Sequence, residues 1–311
     1  MGNRQTVVGR FAPTPSGRMH LGNVFAAMVA WLSVRAQGGT MLLRMEDLDT
    51  QRTNEEFAKI LREDLLWLGL DWDEETPPQR MRTESYKSHF EKLWELGLLY
   101  PCYCTRSQLH SVNAPHLADG TYVYPGTCRD LTDDQKTAFG REPSWRVKVP
   151  DKVWYVKDLV QGAYTENLVR GCGDFVVRRA DGVFVYQLAV TADDGEFGVT
   201  EIVRGKDLLS SAPRQMYLQE LLGYCHPVYA HVPMLLAPDG RRLSKRDMDL
   251  DLGTLRKNCR AEEILGMLAY VSGLISRQQP ISVRELIKEF SWEKLKKEDI
   301  YVDLHSLQKS V

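Results

Sequence analysis

The stretch Arg10-Phe-Ala-Pro-Thr-Pro-Ser-Gly17, followed closely by Met19-His-Leu-Gly-Asn23, decides the fold of this chain. A β-prone run over residues 7–11 leads into it, and a helix-like apolar segment, Leu21–Ala36, leads out of it. The helix N-terminus would present free backbone N–H groups and the positive end of its dipole at the turn. Such a turn can bind an anion, for example a nucleotide phosphate, although a plain strand-to-helix turn with an incidental histidine has the same pattern.

The alternation of strands and helices continues beyond the first helix. Residues 41–45 are predicted to form a second strand, which ends in the acidic stretch Glu46-Asp-Leu-Asp49. Thr53 and Glu56 have the spacing of a capping box, and apolar residues follow them at helical spacing. Two successive strand–loop–helix units open a doubly wound parallel sheet, so we expect an α/β fold of the Rossmann type.

The composition limits the functional classes. Of the 311 residues, 43% are hydrophobic and 26% are charged, which is typical of a globular protein and not of a disordered one. A net charge of -2 argues against a general nucleic-acid coat but allows a local basic patch. The uncharged apolar runs are shorter than the roughly 18 residues of a membrane helix, and six cysteines are too few for a disulfide scaffold. We therefore expect a cytoplasmic protein with no membrane partner.

Changes in residue pattern divide the chain into four parts. Residues 1–100 are predicted to form the first half of the Rossmann-type domain, and residues 101–141 an insertion rich in cysteine, tyrosine, proline and glycine. Strand-like runs then resume, one of them over residues 183–190, so residues 142–250 are predicted to complete the domain. Residues 251–311 are predicted to be a helical C-terminal segment, too short for a further domain of ordinary size.

A second candidate for phosphate binding is Arg241-Arg-Leu-Ser-Lys-Arg246, which follows the turn Pro238-Asp-Gly240. Its four cations and one hydroxyl could close over a polyphosphate and neutralise the charge of a transition state. An isolated run of this kind is more commonly a solvated basic loop. The combination of this loop with the turn over residues 10–23 is far more specific than either stretch alone.

Together, the two stretches resemble the signature sequences of class I aminoacyl-tRNA synthetases. His20-Leu-Gly-Asn23 is similar to the HIGH motif of that family, and Arg242-Leu-Ser-Lys-Arg246 is similar to its KMSKS motif. Two further blocks, Leu43-Arg-Met-Glu-Asp-Leu-Asp49 and Val199-Thr-Glu-Ile-Val-Arg-Gly205, resemble the glutamate branch of the family, as does the stretch from Arg10. The resemblance runs from about residue 7 to residue 250, which is most of the chain.

The two motifs show departures from the family pattern. Asn23 stands at the final histidine of HIGH, and Arg242 and Arg246 replace the outer residues of KMSKS, whereas Lys245 is retained. The resemblance implies that His20 and Lys245 are catalytic. It also implies that ATP is bound by residues of both motifs and the preceding turn, namely Pro13, His20, Gly22, Asn23, Arg242, Ser244 and Lys245.

A pocket for glutamate needs cationic or hydroxyl donors for two carboxylates and an anion for the ammonium group. Suitable residues fall at the ends of four strand-like segments: Arg10, Glu46, Tyr186 and Arg204. The resemblance implies that Glu46, together with Ser16, meets the ammonium. It also implies that Arg10, Tyr186 and Arg204 hold the carboxylates. Without the surrounding blocks, an ordinary ion pair of Glu46 and simple packing of Tyr186 would explain these residues equally well.

A third cluster, Cys102-Tyr-Cys104 with Tyr124-Pro-Gly-Thr-Cys128, lies in the insertion. Three thiols in a loop-rich segment of a cytoplasmic protein favour one structural zinc ion over a disulfide; metal-free packed cysteines are the alternative. The fourth ligand is open among His110, His116, Tyr122 and Tyr124, and coordination chemistry favours a histidine. A small glutamate-activating paralogue in the family has Cys-x-Cys followed by Tyr-x-x-x-Cys. This resemblance implies the ligand set Cys102, Cys104, Tyr124 and Cys128.

The resemblance implies a ligase that converts glutamate and ATP, accompanied by Mg²⁺, into glutamyl-adenylate and pyrophosphate without tRNA. The chain also resembles the small paralogue in how few residues follow the KMSKS-like loop, which implies that an anticodon-binding domain is lacking. On this resemblance, glutamate passes to queuosine at the wobble position of tRNA(Asp), and we expect a monomer. The alternatives are a truncated synthetase that charges tRNA(Glu) and a catalytically inactive synthetase-like module that binds tRNA.

Overall fold

The structure of the protein, a computed structural model, describes residues 6–111, 123–241 and 251–302. Short 3-10 turns and loops join the helices and strands of these ranges. In chain order the elements are β1 (Val8–Phe11), α1 (Leu21–Ala36), β2 (Thr40–Leu43), α2 (Glu55–Trp67), β3 (Glu74–Glu75), α3 (Thr83–Glu95), β4 (Leu99–Cys102), α4 (Arg106–Ser111), α5 (Asp133–Ala138), β5 (Ser144–Val147), β6 (Val153–Asp158), β7 (Gly162–Asn167), α6 (Leu168–Gly171), β8 (Phe175–Arg178), α7 (Tyr186–Glu196), β9 (Glu201–Gly205), α8 (Ala212–Leu222), β10 (Val228–Val232), β11 (Leu235–Leu236), α9 (Leu252–Asn258), α10 (Ala261–Ser272), α11 (Val283–Leu286) and β12 (Ile300–Tyr301).

The central sheet consists of two groups of strands that meet at β1 and β9. The first group has the order β1-β2-β3 and is parallel throughout, and the second has the order β7-β6-β10-β9, in which only β7 is antiparallel. The two groups touch where the Thr200 N–H donates to the Val8 carbonyl at 2.9 Å. The predicted α/β fold of the Rossmann type is therefore confirmed.

The strand order reverses at this meeting point. From β1 the chain proceeds outward to β2 and β3, and from β9 it proceeds in the opposite direction to β10. The carboxyl ends of β1 and β9 therefore open a crevice, which is the usual place for a ligand in a doubly wound sheet. Helix α1, which follows β1, is buried along most of its length between the sheet and the C-terminal helices.

A second, smaller sheet supports the insertion. Its strands β4, β5 and β8 are antiparallel and lie in the order β4-β5-β8. Helices α3 and α7 contribute Tyr86, Phe90 and Leu188 to the apolar core on this sheet. Because β4 ends at Cys102, the first predicted metal ligand lies at the edge of a rigid element.

The described part of the C-terminal segment is mainly helical, as predicted. Helices α9, α10 and α11 share one apolar core with α1, α2 and the central sheet. Strand β12 pairs in parallel with β11 and attaches the segment to the edge of the crevice. Within the three described ranges, no helix combines the length and apolarity needed to cross a membrane.

One predicted strand is wrong. Residues 183–190 contain the start of α7, which is a helix from Tyr186 to Glu196. Most residues in the middle of this helix are buried, so its apolar residues show no clear helical alternation, and its β-branched residues imitate a strand. A short apolar run cannot be assigned by periodicity alone when every face is covered.

The predicted cap of α2 is also wrong. Asn54, not Thr53, caps this helix, since the Asn54 side chain accepts a hydrogen bond from the Phe57 N–H at 2.8 Å. The Thr53 hydroxyl instead donates to the Asp49 carbonyl at 2.8 Å. Thr53 is therefore committed to the turn that precedes the helix.

Candidate active site

A cavity of about 730 Å³ opens at the carboxyl ends of β1 and β9. Its walls are the turn after β1, the first turns of α1, the segment after β2, the start of α7 and the end of β9. Every predicted ATP- or glutamate-binding residue in the described ranges lines this one cavity. These residues are Arg10, Pro13, Ser16, His20, Gly22, Asn23, Glu46, Tyr186 and Arg204.

The remaining predicted residues, Arg242, Ser244 and Lys245, lie outside the described residues. The described chain on both sides of them approaches the same cavity. On one side, Met234 and Leu235 line the cavity wall. On the other side, the Leu252 N–H donates to the Met19 carbonyl at 2.9 Å, and Asp251 forms a β-bridge with His20.

His20 caps the N-terminus of α1. Its Nδ1 accepts a hydrogen bond from the Gly22 N–H at 3.1 Å, so the proton of the neutral ring lies on Nε2 and makes that nitrogen a donor. A Cβ at Gly22 would lie 3.0 Å from the His20 ring, which is too close for an ordinary contact. Glycine at this position therefore leaves room for the His20 ring as well as for a ligand. The turn therefore presents an imidazole donor together with the positive end of a helix.

Glu46 belongs to a buried network of charges behind the cavity. The Arg44 guanidinium, which is 1% exposed, lies 3.1 Å from Glu46 Oε1 and 2.6 Å from Asp194 Oδ1. Asp194 Oδ1 also lies 3.4 Å from Arg10 Nε. Burial raises the pKa of Glu46, while the charges of Arg44 and Arg10 act in the opposite direction. A cationic guest, such as the ammonium group of an amino acid, would stabilise the Glu46 carboxylate further.

Arg10 and Arg204 contribute two buried guanidinium groups to one cavity. Burial lowers the pKa of Arg10, and the neighbouring cations Arg44 and Arg204 add to this effect, whereas Asp194 opposes it. Arg204 Nη1 lies 3.5 Å from the Tyr186 hydroxyl, and burial raises the pKa of that hydroxyl, so Tyr186 remains a donor. Two guanidinium groups and a hydroxyl form an arrangement suited to carboxylates.

The structure corrects how these residues are placed. Arg10 and Arg204 lie near the carboxyl ends of β1 and β9, and Glu46 follows β2, as the sequence pattern predicts. Tyr186 does not end a strand, because it is the first residue of α7. Its side chain nevertheless reaches the cavity, since the N-terminus of α7 points at the crevice.

The three predicted cysteine ligands lie together. The Sγ atoms of Cys102, Cys104 and Cys128 are all within 4.8 Å of one another, and those of Cys104 and Cys128 are 3.6 Å apart. Tetrahedral zinc with Zn–S bonds of about 2.3 Å requires S···S separations of about 3.7 Å, so the donor set fits this ion. The Tyr124 hydroxyl lies 3.4 Å from Cys102 Sγ. Burial raises the pKa of the Cys102 thiol, but the charge of Arg146 and hydrogen bonds to the sulfur outweigh this effect, so the pKa is lowered.

Tyr124 is held in place by its surroundings. Its hydroxyl accepts the Cys128 N–H at 2.9 Å, and the Arg146 guanidinium lies 3.7 Å from its ring centroid. Its backbone bridges to Gly173, where φ is +65° and a Cβ would lie 2.1 Å from the Tyr124 carbonyl oxygen. Of the other predicted fourth ligands, His116 and Tyr122 lie outside the described residues, as does the side chain of His110.

Comparisons with known proteins show the family of this chain. The family described as tRNA synthetases class I (E and Q), catalytic domain, matches residues 6–309. The chain belongs to this family. The glutamyl-Q tRNA(Asp) synthetase of Symbiobacterium thermophilum is 43% identical to this chain, and the alignment covers 96% of this chain and 97% of that protein. The corresponding protein of Nitratidesulfovibrio vulgaris is 44% identical over 90% of each chain.

Solved structures support the same family. The glutamate-tRNA synthetase from Elizabethkingia anophelis superposes on this chain with a TM-score of 0.84 at 27% identity. The superposition covers 98% of this chain and 70% of that synthetase. A glutamate tRNA ligase from Elizabethkingia meningosepticum, solved in complex with its amino acid, has a TM-score of 0.83 at 27% identity, with coverages of 98% and 68%. The predicted class I synthetase fold is therefore confirmed.

The departure at Asn23 has a structural explanation. The Asn23 side-chain oxygen accepts the His20 N–H at 3.3 Å, while His20 accepts the Gly22 N–H. The two side chains thus satisfy backbone donors at the start of α1 in the manner of a capping box. Asparagine at this position keeps the motif turn rigid within a class I synthetase site.

Sequence reasoning missed the charged residues behind the cavity. Arg44, Asp193 and Asp194 are almost completely buried and connect Glu46 with Arg10, but none of them was predicted to matter. Arg44 stands inside the block that resembles the glutamate branch, and an acidic pair in an otherwise apolar run was a usable signal. Their partners, however, are about 150 positions away in sequence and only the fold brings them together.

Proposed function

We propose that this protein activates L-glutamate with ATP and transfers the glutamyl group to queuosine at the wobble position of tRNA(Asp). The observation that carries the activation step is the placement of Arg10, Arg204 and Glu46 in one cavity, which the first turn of α1 also lines. This cavity offers cations for two carboxylates, an anion for an ammonium and a helix terminus for a phosphate. The acceptor is proposed from the relatives named glutamyl-Q tRNA(Asp) synthetase, whose similarity extends over almost their whole length.

The proposed reaction needs little covalent help from the protein. The α-carboxylate of glutamate attacks the α-phosphate of ATP, the bond between the α- and β-phosphates breaks, and pyrophosphate leaves. The attacking group is already ionised, so no general base is required, and catalysis consists of positioning and charge neutralisation. We assign the neutralisation to His20 Nε2, the N-terminus of α1 and Lys245. Mg²⁺ would accompany ATP and screen its phosphates.

The second half of the proposal is tested by the choice of acceptor. Labelled L-glutamate and ATP are offered to tRNA(Asp) with queuosine, to the same tRNA without it, and to tRNA(Glu). We expect label only on the first, because transfer needs the hydroxyls of queuosine. Label on the 3′ end of tRNA(Glu) alone would instead show a truncated glutamyl-tRNA synthetase. Since these substrates are ATP and tRNA, we place the reaction in the cytoplasm.

The first half is tested by pyrophosphate exchange without tRNA. Wild-type protein is expected to exchange pyrophosphate into ATP only when L-glutamate is present. Exchange that is absent from folded protein would favour the alternative of a tRNA-binding module without chemistry. The assay separates this alternative from both enzymatic ones.

Lys245→Ala is expected to slow glutamate-dependent pyrophosphate exchange by roughly two orders of magnitude or more. The substitution removes a cation that we assign to the leaving phosphates, so KM for glutamate should change little. Lys257→Ala is the matched control, because Lys257 is an exposed lysine beyond the same loop. Equal exchange rates for the two variants would contradict the role of Lys245.

We also propose one structural zinc ion, held by Cys102, Cys104, Tyr124 and Cys128 in the insertion over residues 101–141. The close approach of the three Sγ atoms and the Tyr124 hydroxyl supports this set. The site lies outside the cavity for ATP and glutamate, so the ion would stabilise the insertion and would not take part in activation.

Elemental analysis of metal-replete protein, freed of unbound metal by dialysis, is expected to find one zinc per chain. Cys128→Ser and Tyr124→Phe should both lower this content, since each removes a ligand atom, while Tyr122→Phe should not. Full zinc retention by Tyr124→Phe, with loss in His110→Ala or His116→Ala, would transfer the fourth position to that histidine. Pyrophosphate exchange should partly survive zinc loss.

A further inference from the structure

Three neighbouring strands of the central sheet each carry a buried polar residue at the last or next-to-last position of the strand. These are Asp158 on β6, His231 on β10 and Arg204 on β9. In the parallel pairing of β10 with β9, His231 lies opposite Arg204, and in the pairing with β6, Tyr229 lies opposite Asp158. The register therefore places one carboxylate, one imidazole and one guanidinium in a row across the carboxyl edge of the sheet.

The hydrogen bonds of this row determine where the histidine proton lies. Arg204 Nε is 2.9 Å from His231 Nε2, and because Nε of arginine can only donate, His231 Nε2 must accept. The proton of the ring then lies on Nδ1, which is 2.6 Å from Asp158 Oδ2. Burial lowers the pKa of His231, and the charge of Arg204 lowers it further, whereas Asp158 raises it. The net lowering agrees with a neutral ring.

Asp158 is itself fixed by the backbone. Its Oδ1 accepts the N–H groups of Val160 at 2.9 Å, Gln161 at 2.8 Å and His231 at 3.1 Å. The His231 N–H also reaches Oδ2 at 3.1 Å, whereas Val160 and Gln161 donate to Oδ1, so the backbone of these two residues holds Oδ1 while Oδ2 faces the imidazole. The carboxylate thus selects one tautomer of His231.

The remaining contacts of Arg204 leave its orientation dependent on His231. Nη1 donates to Gln215 Oε1 at 2.8 Å and approaches the Tyr186 hydroxyl, and Nη2 donates to the Leu208 carbonyl at 3.3 Å. Within the described residues, the hydrogen-bond acceptor of Nε is His231. Loss of that acceptor would leave a buried charged donor unsatisfied, and the guanidinium would turn to find another partner.

We propose that His231, kept in its Nδ1–H tautomer by Asp158, is a positioning residue that orients Arg204 toward a carboxylate of the amino-acid substrate. The proposal rests on the proposed function, since it requires that Arg204 bind glutamate. His231 itself need not touch the substrate, and it is not among the residues that line the cavity. Its effect should therefore be confined to glutamate recognition.

Two near-isosteric variants of His231 test the proposal. In His231→Gln the amide oxygen can reach the place of Nε2 and accept from Arg204, whereas in His231→Asn the shorter amide serves Asp158 and leaves Arg204 Nε without an acceptor. We expect His231→Asn to raise KM for glutamate roughly ten- to hundredfold, with kcat and KM for ATP changed much less. His231→Gln should recover most of the glutamate affinity.

Asp158→Asn provides an independent variant. The Val160 and Gln161 N–H groups keep an oxygen at the Oδ1 position, where it can also accept the His231 N–H, so the amide nitrogen faces His231 Nδ1 and donates to it. The imidazole must then carry its proton on Nε2, where it meets the Nε–H of Arg204 as donor against donor. We expect the same selective rise in KM for glutamate as in His231→Asn.

The tautomer can be observed without any activity. Long-range ¹H–¹⁵N correlation spectra of histidine-labelled protein should show His231 protonated on Nδ1 in the wild type and on Nε2 in Asp158→Asn. An Nε2–H tautomer in the wild type would overturn the proposal, as would equal KM values for the His231→Gln and His231→Asn variants. A lack of glutamate-dependent exchange by folded wild-type protein would overturn the proposed function instead, whatever the tautomer.

Discussion

Replacement of Arg204 by alanine is expected to weaken glutamate binding by about 3 kcal/mol or more, which corresponds to a roughly hundredfold or larger rise in the dissociation constant. Arg204 is almost completely buried at the end of β9, so a substrate carboxylate paired with it is desolvated. Removal of the guanidinium leaves that carboxylate without its charged partner in a buried part of the cavity. Calorimetric titration with L-glutamate, together with KM in pyrophosphate exchange, measures the effect.

The affinity for ATP should stay close to that of the wild type, because we assign Arg204 to a carboxylate of glutamate and not to the phosphates. Arg179→Ala is a suitable control, since this arginine pairs with Asp181 at the surface and is 51% exposed. Unchanged glutamate affinity in Arg204→Ala would remove Arg204 from the pocket and leave Arg10 as the main partner of the carboxylates.

Arg44→Met is expected to lower the free energy of unfolding by about 3–5 kcal/mol. Arg44 Nη1 lies 2.6 Å from Asp194 Oδ1, Nη2 lies 3.1 Å from Glu46 Oε1, and Nε lies 3.7 Å from Asp193 Oδ2. Methionine would fill most of the volume, but the carboxylates around it would lose their shared cation. Urea unfolding followed by circular dichroism measures the change.

Arg35→Met is the matched control for this prediction. Arg35 also pairs with two carboxylates, Asp71 at 2.9 Å and Asp73 at 2.7 Å, but both of these are more than 40% exposed. Solvent compensates for the loss of such a partner, so we expect a change of about 1 kcal/mol or less. Similar losses for the two variants would show that the network around Arg44 is not the stabilising feature inferred from its burial.

Much of the candidate site could be predicted from sequence because its motifs are local. The turn over residues 10–23 combines a strand end, stiff prolines and a helix start within a few positions, and each of these features acts through neighbouring residues. The same holds for Cys102 with Cys104, and for Tyr124 with Cys128, whose spacings follow one loop. The structure places the members of each group together.

The helix α7 shows where local reasoning fails. Val185, just before the helix, and Val190 within it favour a strand by propensity, but packing of α7 with α3 in the core of the second sheet decides for a helix. Tyr186 therefore lines the cavity as the first residue of a helix and not as the end of a strand. A resemblance to a family can transfer the role of a residue without transferring the element that positions it.

The sequence by itself determined which chemical groups this protein brings to its site and the doubly wound sheet that carries them. Only the tertiary structure decided how those groups are held, through Arg44 with Asp194 and through Asp158 with His231 and Arg204. These partners are 150, 73 and 27 positions apart in the chain. Asp158, His231 and Arg204 meet because parallel strands align their carboxyl ends at one edge of a sheet, whereas Asp194 reaches Arg44 from helix α7. In both cases a buried charge is stable only where the fold supplies an opposite charge or a hydrogen bond.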